Sequence, residues 1–269
     1  MHELMLIKNG EAQLAAEATG DGPPDVLLVH SGVGDRREWG SVRSRLEPVA
    51  RCISYDARGH GRTRYETEDG WSPAADGIAV LDHCGIERGI VIAASYGGRV
   101  AIDLALTYPD RVAKLALIAP AVSGSPQPEF DPPVGELDQR MDAADAAQDW
   151  DLLNRLEARV WLDGAQQSEG RVSGAARELF LEMNAVALTA EDPGRRHLVP
   201  DAWDRLEELG MPTLVMVGEH DLRHFRANAR HLGSTIPDAR FVELAGVAHL
   251  PHLEGDRTTL DELAAFVGG

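Results

Sequence analysis

Residues 90–100 of this 269-residue chain, which read IVIAASYGGRV, are the most informative segment for its fold. Five apolar residues lead without interruption into Ser95, and a helix-like pattern follows Gly98. A buried strand that turns directly into a helix holds the residue at the turn in strained backbone geometry, which only very small neighbours permit. Ala93 and Gly97, two positions to either side of the serine, are small enough. The segment therefore predicts a serine presented at the end of a buried strand.

A serine in such a turn is also compatible with a structural helix N-cap, so a nucleophile needs further support. A serine hydroxyl is a weak nucleophile unless a histidine accepts its proton and an acid orients that histidine. Asp221 follows the apolar run 213–217, and His249 follows the run 240–244. The order Ser95, Asp221, His249 is that of one serine-hydrolase architecture and differs from the chymotrypsin and subtilisin orders.

An oxyanion hole is the remaining component of such a site. The segment HSGVG, residues 30–34, follows the first central strand, and its backbone can aim an N–H group at a developing oxyanion. We assign the first donor to the N–H of Gly32, with that of Val33 as the alternative. The second donor is assigned to Tyr96, the residue after the serine. His30 is predicted to be a buried histidine that pins this loop by hydrogen bonds.

Apolar runs without polar alternation recur along most of the chain, separated by helix-like segments. Such runs are typical of strands buried on both faces of a parallel sheet, and their alternation with helices predicts an α/β fold with helices on both faces. The runs are residues 26–29, 51–55, 89–94, 112–119, 213–217 and 240–244. Two N-terminal strands, near residues 4–7 and 12–17, are predicted to form an antiparallel ribbon at one edge.

The alternation stops between about residues 121 and 209. A loop rich in proline, glycine and serine opens this stretch at residues 123–133, and the segments after it have only helical spacing. We therefore predict a core formed by residues 1–120 and 210–269, capped by an all-helical insertion of residues 121–209.

Five segments in this order resemble the α/β-hydrolase fold family, and within it small helical-capped serine esterases and 3-oxoadipate enol-lactonases. The resemblance covers the chain except for the insertion. It implies a mostly parallel eight-stranded sheet, catalysis at the carboxyl ends of the strands, and a substrate pocket between core and cap. As substrate-binding residues of that pocket we select Val33, Val122, Trp161 and Leu250. The five segments are residues 30–34, 55–62, 94–98, 218–221 and 248–254.

Three residues depart from the pattern of that family. Ala93 replaces the first glycine of the usual G-x-S-x-G, and Ser31 replaces the glycine that usually follows the histidine of the oxyanion loop. Thr63 stands where a serine often follows Gly-His-Gly. The first two bear on the strain of the turn and the shape of the oxyanion loop, and none of the three removes a catalytic group.

The identity of the nucleophile narrows the chemistry, since capped dehalogenases and epoxide hydrolases of this family carry an aspartate in place of Ser95. The sequence predicts a serine hydrolase that cleaves a small carboxylic ester or lactone through an acyl-enzyme on Ser95. His249 is expected to act as general base and acid with Asp221 orienting it, and no metal or organic cofactor is needed. Alternatives on the same triad are a carbon–carbon bond hydrolase, a cofactor-free perhydrolase or haloperoxidase, and a small-molecule-binding protein with little turnover.

Composition and charge limit the partners. The chain carries 26 basic and 44 acidic residues, for a formal net charge of −18, whereas a nucleic-acid partner requires a basic face. The same charge disfavours binding to an anionic membrane surface. No segment of the sequence approaches the roughly 18 consecutive apolar residues of a membrane span. The N-terminus lacks the features of a signal peptide, and Cys52 and Cys84 are interpreted as structural thiols. We expect a cytoplasmic protein that acts on a small molecule, and the sequence does not distinguish a monomer from a dimer.

Several other charged residues have spacings that are compatible with binding. Arginines at 36–37 and within residues 58–64 can meet an anion, but we interpret them as surface arginines. His220 and His224 have the i, i+4 spacing of metal ligands on a helix, but we interpret them as solvated loop histidines. His252 is predicted to be structural or to lie at the pocket rim.

Overall fold

The computed structural model describes residues 4–129, 131–197 and 199–269. The first three residues of the N-terminal segment that we predicted to lack a targeting signal lie outside these ranges. Within them, one sheet contains nine strands. The strands are β1 (Met5–Asn9), β2 (Ala12–Thr19), β3 (Asp25–Val29), β4 (Arg51–Tyr55), β5 (Arg64–Tyr65), β6 (Gly89–Ala94), β7 (Val112–Ile118), β8 (Thr213–Gly218) and β9 (Ala239–Leu244).

The order of strands across the sheet is β1-β2-β4-β3-β6-β7-β8-β9, and the short β5 pairs with β2 beside this path. All pairs from β4 to β9 are parallel, and the N-terminal ribbon of β1 and β2 is antiparallel. The predicted mostly parallel, eight-stranded α/β sheet is confirmed, with the two-residue β5 as a ninth strand.

Helices cover both faces of the sheet. In the described residues the α-helices are α1 (Gly40–Leu46), α2 (Pro73–His83), α3 (Tyr96–Thr107), α4 (Pro132–Ala146), α5 (Trp150–Glu157), α6 (Ala175–Leu188), α7 (Arg223–Thr235), α8 (Pro251–Glu254) and α9 (Arg257–Gly268). Within the same described ranges, 3-10 helices span Arg36–Trp39, Pro109–Arg111 and Trp203–Glu208, and a π-helix spans Ala158–Gly164. None of the helices among the described residues has the length and apolar character needed to cross a membrane.

The surroundings of strand β6 explain why residues 90–94 are all apolar. Val91 and Ala93 enter a core cluster with α2, α3 and α7, whereas Ile90 and Ile92 enter a second cluster with α1 and α9. All six residues of the strand are buried. Because successive side chains point to opposite faces and both faces are covered, no position along this strand can be polar.

Strand β9 corrects one prediction. Residues 240–244 were expected to form a strand buried on both faces, but β9 lies at the edge of the sheet beside β8. Arg240 and Glu243 are exposed and pair with Glu262 and Arg226. At an edge, one face of the strand remains open to water, so charged side chains cost little there and also protect the edge from pairing with another chain.

Two arginines correct another prediction. Arg36 and Arg58, expected at the surface, are only 4% and 5% exposed. Arg36 pairs with Glu17 and Asp56, and Arg58 pairs with Asp76. These carboxylates come from distant parts of the chain, and a buried guanidinium is tolerated because such partners offset its desolvation.

The chain between β7 and β8 contains helices and no strand in the residues described there. Leu156 and Val160 pack against Phe225 at the start of α7. Phe180 and Met183 pack in a second apolar cluster with residues that follow β9. The helical region therefore rests on the loops at the carboxyl ends of β8 and β9.

Candidate active site

Ser95 stands at the turn between β6 and α3 with φ 52° and ψ −118°. Its backbone N–H donates to the carbonyl of Ile118, and its carbonyl accepts from the N–H groups of Gly98 and Ala121, each at 2.9 Å. Its side chain makes no capping hydrogen bond with α3. A left-handed φ at a residue other than glycine costs energy, and here the surrounding backbone hydrogen bonds hold it in place. The hydroxyl therefore points away from the helix terminus.

The glycines after the serine are required by close contact with the backbone. A Cβ at Gly97 would lie 2.3 Å from the carbonyl oxygen of Val29 and 2.4 Å from that of His30. A Cβ at Gly98 would lie 2.7 Å from the Cβ of Pro120. These distances are far below van der Waals contact, so α3 can begin this close to the sheet only with glycine at both positions.

The three departures from the family pattern are each accommodated. Ala93 is fully buried in the core. The hydroxyl of Ser31 donates to Glu38 at 2.7 Å, a bond that a glycine could not make. The hydroxyl of Thr63 donates to the carbonyl of Asp56 at 2.6 Å and accepts from the backbone of β2.

Ser95, His249 and Asp221 form one hydrogen-bonded chain. The Oγ of Ser95 lies 2.7 Å from Nε2 of His249, and Nδ1 of His249 lies 2.8 Å from Oδ2 of Asp221. The second oxygen of Asp221 accepts from the N–H of Leu222 at 2.7 Å. A carboxylate at Nδ1 selects the tautomer whose Nε2 lone pair can accept the hydroxyl proton. The structure thus brings the three predicted catalytic residues together from the ends of β6, β8 and β9.

Two aromatic rings cover the imidazole of His249, which is 1% exposed. The ring centroids of Trp161 and Phe225 lie 4.8 Å and 4.4 Å from that of His249. Trp161 belongs to the π-helix, a geometry that often marks functional sites. The same two rings line a cavity of about 170 Å³ together with apolar residues of α4, including Val134 and Met141. Shielding from water strengthens the hydrogen bonds of the triad.

The two backbone segments assigned to the oxyanion hole lie side by side. A Cβ at Gly32 would lie 3.4 Å from the Cβ of Tyr96. The predicted pinning role of His30 is confirmed: its Nδ1 donates to the carbonyl of Ser31 at 2.7 Å, and its Nε2 accepts from the N–H of Ala57 at 2.9 Å. Both ring nitrogens are used by the backbone, which holds the loop against the end of β4.

The four residues selected as substrate contacts fall into two places. Val33, Trp161 and Leu250 meet in one apolar cluster at the junction of the helical region with the loop after β9. Val122 is buried in the larger core cluster, which Tyr96 also contacts. Leu250 is fully buried, so its side chain helps to form the wall of this junction.

Three residues near the site were missed in the sequence. Phe225 lies on the first turn of the helix that follows the acid, a position that a search one turn beyond Asp221 would have found. Arg196 places its guanidinium 5.0 Å from the ring centroid of Tyr96, and Glu38 binds Ser31. The contacts of Arg196 with Tyr96 and of Glu38 with His252 span long stretches of sequence, so no local pattern marks these two residues.

His224 corrects a further prediction. It is half-buried with its ring centroid 4.3 Å from that of Phe225, and burial lowers its pKa, with Asp221 opposing the change. The helix α7 begins only at Arg223, so His220 and His224 do not share a helix face. Among the described residues, no group of three or more metal-ligating side chains is assembled.

This sheet, with Ser95 at the turn between β6 and α3, is the arrangement of one class of protein. A model of the α/β hydrolase fold family matches residues 24–256, and the chain belongs to that family. It is an α/β-hydrolase-fold enzyme.

Relatives add detail to the class. The pimeloyl-[acyl-carrier protein] methyl ester esterase of Nitrosospira multiformis is 26% identical over 249 residues, covering 91% of this chain and 94% of that protein. The structure of a thermophilic esterase from Thermogutta terrifontis superposes with a TM-score of 0.75 at 25% identity, covering 99% and 97% of the two chains. The enol-lactonase of Burkholderia xenovorans shares the fold, with a TM-score of 0.71 at 21% identity and coverage of 99% and 100%.

Proposed function

We propose that the protein is a serine hydrolase that cleaves a small carboxylic ester or lactone through an acyl-enzyme on Ser95. The observation that carries this proposal is the hydrogen-bonded chain from the Ser95 hydroxyl through His249 to Asp221, with links of 2.7 and 2.8 Å. Such a chain turns a poor nucleophile into a reactive one. The ester-cleaving activity named for the relatives from Nitrosospira and Thermogutta supports the same class of substrate.

In the acylation half-reaction, the Oγ of Ser95 attacks the carbonyl carbon while Nε2 of His249 takes the hydroxyl proton. The carbonyl oxygen becomes an oxyanion that accepts hydrogen bonds from the N–H groups of Gly32 and Tyr96. Removal of one such donor typically costs about 10²–10³ in rate. When the tetrahedral intermediate collapses, the bond from the carbonyl carbon to the alkoxide oxygen breaks, and His249 gives its proton to that oxygen.

In the deacylation half-reaction, water attacks the carbonyl carbon of the acyl-enzyme and His249 takes one proton from it. Collapse of the second intermediate breaks the bond to Ser95, whose Oγ receives the proton from His249 and leaves the acid product. Asp221 keeps the imidazole in one tautomer and stabilises the imidazolium in both halves. Residues of the chain and one water complete every proton transfer.

The substrate is proposed to be small and at least partly apolar. Trp161, Val33 and Leu250 form an apolar junction beside the triad, and the cavity of about 170 Å³ bordered by Trp161 and Phe225 has room for a compact group. The helices of residues 121–209 are proposed to cap this site and the remaining residues to form the catalytic core. The absence of a nucleic-acid partner and the cytoplasmic location stay predictions.

A fluorophosphonate probe tests the nucleophile. We expect one adduct, mapped to Ser95 by mass spectrometry, that disappears in Ser95→Ala and forms far more slowly in His249→Ala. Ser234→Ala, a matched control on the surface of α7, is expected to label like wild type. Labelling at another residue, or none together with no hydrolysis of any ester or lactone, would contradict the proposal.

A substrate panel then separates the alternatives. Ester or lactone hydrolysis that depends on Ser95 supports the proposal. Cleavage of a vinylogous diketone in preference to esters would instead indicate a carbon–carbon bond hydrolase, and peracid formation from a carboxylic acid and hydrogen peroxide would indicate a perhydrolase. Tight binding of small esters without turnover would indicate a binding protein.

A further inference from the structure

Glu38 is a buried carboxylate in an unusual setting. It is 1% exposed, and its oxygens accept from the backbone N–H of Ser31 at 2.9 Å and from the hydroxyl of Ser31 at 2.7 Å. A third bond comes from Nε2 of His252 at 3.1 Å. In the part of the chain that the structure describes, no arginine or lysine pairs with it. Burying a carboxylate is expensive, so a residue kept in this position calls for a reason.

Ser31 is held at every polar atom. Its N–H and hydroxyl bind Glu38, and its carbonyl accepts from Nδ1 of His30 at 2.7 Å and from the N–H of Gly34 at 3.2 Å. In a planar trans peptide, the C=O and the following N–H point in opposite directions. Fixing the carbonyl of Ser31 therefore fixes the direction of the N–H of Gly32.

His252 connects the same carboxylate to the catalytic base. It lies in α8, three residues after His249, and its buried ring stacks on Trp39 with centroids 4.5 Å apart. Glu38 thus joins the loop after β3 to the segment after β9, although these positions are 214 residues apart in sequence.

Stability alone does not account for this arrangement. Nδ1 of His252 and Nε1 of Trp39 are buried without a hydrogen-bond partner among the described residues. Each unsatisfied buried polar atom costs free energy. Apolar residues that fill the same volume often make a more stable core than a buried ionic group. A positional role explains why a polar network is kept here.

We propose that Glu38 is a positioning residue for the reaction: it holds the N–H of Gly32 and the segment of His249 at a fixed separation, acting through Ser31 and His252. The inference rests on the proposed function, in which the N–H of Gly32 receives the oxyanion. It also explains the serine that departs from the family pattern, because only a hydroxyl supplies the second bond to Glu38.

The test is Glu38→Gln, which removes the negative charge that strengthens the bonds from Ser31 and His252. An amide NH₂ replaces one accepting oxygen, and the Ser31 hydroxyl can meet it only by accepting a hydrogen bond instead of donating one. We expect kcat for a cleaved ester to fall about tenfold to a hundredfold, with KM changed by less than about twofold. A trifluoromethyl ketone forms a tetrahedral oxyanion on the serine, so its affinity is expected to fall by a similar factor. The affinity of an unreactive amide analogue is expected to stay unchanged.

Two further variants remove single links of the network. Ser31→Gly restores the residue usual in the family and keeps the backbone bond to Glu38, so a loss of about twofold to fivefold in kcat is expected. His252→Phe keeps an aromatic ring stacked on Trp39 but removes the hydrogen bond that connects Glu38 to α8. We expect a loss in kcat between those of Ser31→Gly and Glu38→Gln. If Glu38→Gln does not fold, Ser31→Gly and His252→Phe test the proposal instead.

Glu157→Gln is the matched control, since Glu157 is a second largely buried glutamate, bound by Asn184 in the helical region. Its kcat and its affinity for the ketone are expected to stay within about twofold of wild type. An equal loss in this control, or unchanged kcat and ketone affinity in folded Glu38→Gln and Ser31→Gly, overturns the positioning role. If wild type neither labels at Ser95 nor cleaves any ester or lactone, the proposed function itself fails.

Discussion

The strand ends of the core and the helices between β7 and β8 each hold a glutamate away from water, Glu38 and Glu157, and the pKa values of the two shift in opposite directions. In the core, burial alone would raise the pKa of Glu38, but hydrogen bonds from His252 and Ser31 bring it below its ordinary value. In the helical region, burial raises the pKa of Glu157, and the bond from Asn184 only partly opposes this. Glu38 is therefore held in place as an ionised group, whereas Glu157 keeps its charge only at a cost in free energy.

This contrast indicates different roles for the loops of the core and for the helical region. In the proposed mechanism, the groups that move protons and receive charge lie on loops anchored by the sheet, where hydrogen bonds hold Ser31 and both ring nitrogens of His30. The helices contribute mainly apolar surface, such as Trp161, that packs over the site. Rigid strand ends suit catalysis, and helices attached by apolar packing suit a surface that varies with the substrate.

Replacing the nucleophile gives the largest expected effect on the core side of the comparison. In Ser95→Ala, kcat/KM for ester cleavage is expected to fall by about 10⁴-fold or more, since the acyl-enzyme can no longer form. Initial rates on an activated ester measure the loss, and circular dichroism checks the fold. If most of the activity survives, the catalytic group lies elsewhere and the contrast between the regions loses its basis.

Crowding the turn in the core is expected to cost both stability and activity. The Cβ of Gly97→Ala would meet the carbonyl oxygens of Val29 and His30, so we expect a loss of about 2–4 kcal/mol in the free energy of unfolding. Gly40→Ala is the control, because a Cβ there meets nothing within 4 Å and the backbone is already helical. Urea denaturation compares the two. Equal stability in both variants would show that α3 can move away from the sheet.

Shortening one side chain of the helical region that packs over the site is expected to change substrate selectivity more than the rate of the chemical step. Trp161→Ala removes one wall of His249, and we expect kcat/KM to fall about tenfold for some esters and to change little for others. We expect the rate of fluorophosphonate labelling to change by a smaller factor than the range of kcat/KM changes across the ester panel. A uniform loss as large as that of Ser95→Ala would place Trp161 in the chemical step and remove the distinction between the regions.

The pH dependence of stability provides the finest test. The folded-state pKa of Glu157 is raised above its ordinary value of 4.5, so its contribution is complete below that value and is lost as pH rises through the folded pKa. Glu157→Gln is therefore expected to gain stability relative to wild type as pH rises from 4 toward neutrality. For Glu38, whose pKa is lowered, the contribution is present above 4.5 and is lost on acidification. Thermal melts between pH 4 and 8 that showed no gain for Glu157→Gln would contradict the contrast.

The catalytic side of the site was predictable from local patterns. Ser95, Asp221 and His249 each follow an apolar run, and the carboxyl ends of parallel strands meet at one edge of a sheet. Placing the three runs in one parallel sheet brings their carboxyl ends to the same edge, and the loop after β9 then carries His249 back across β8 and β7 to Ser95. Two of the missed residues obey no such rule: Arg196 reaches Tyr96, and Glu38 reaches His252, across long stretches of sequence.

Periodicity and small residues at short spacing were sufficient to predict the sheet, the position of the serine turn and the chain order of Ser95, Asp221 and His249. Tertiary structure alone decided that β9 lies at an edge, that Arg36 is buried, and that Glu38 joins Ser31 to His252. The physical reason is that the cost of burying a charge depends on partners that the fold brings from distant positions. A local pattern records neither those partners nor the side of a strand that is left open to water.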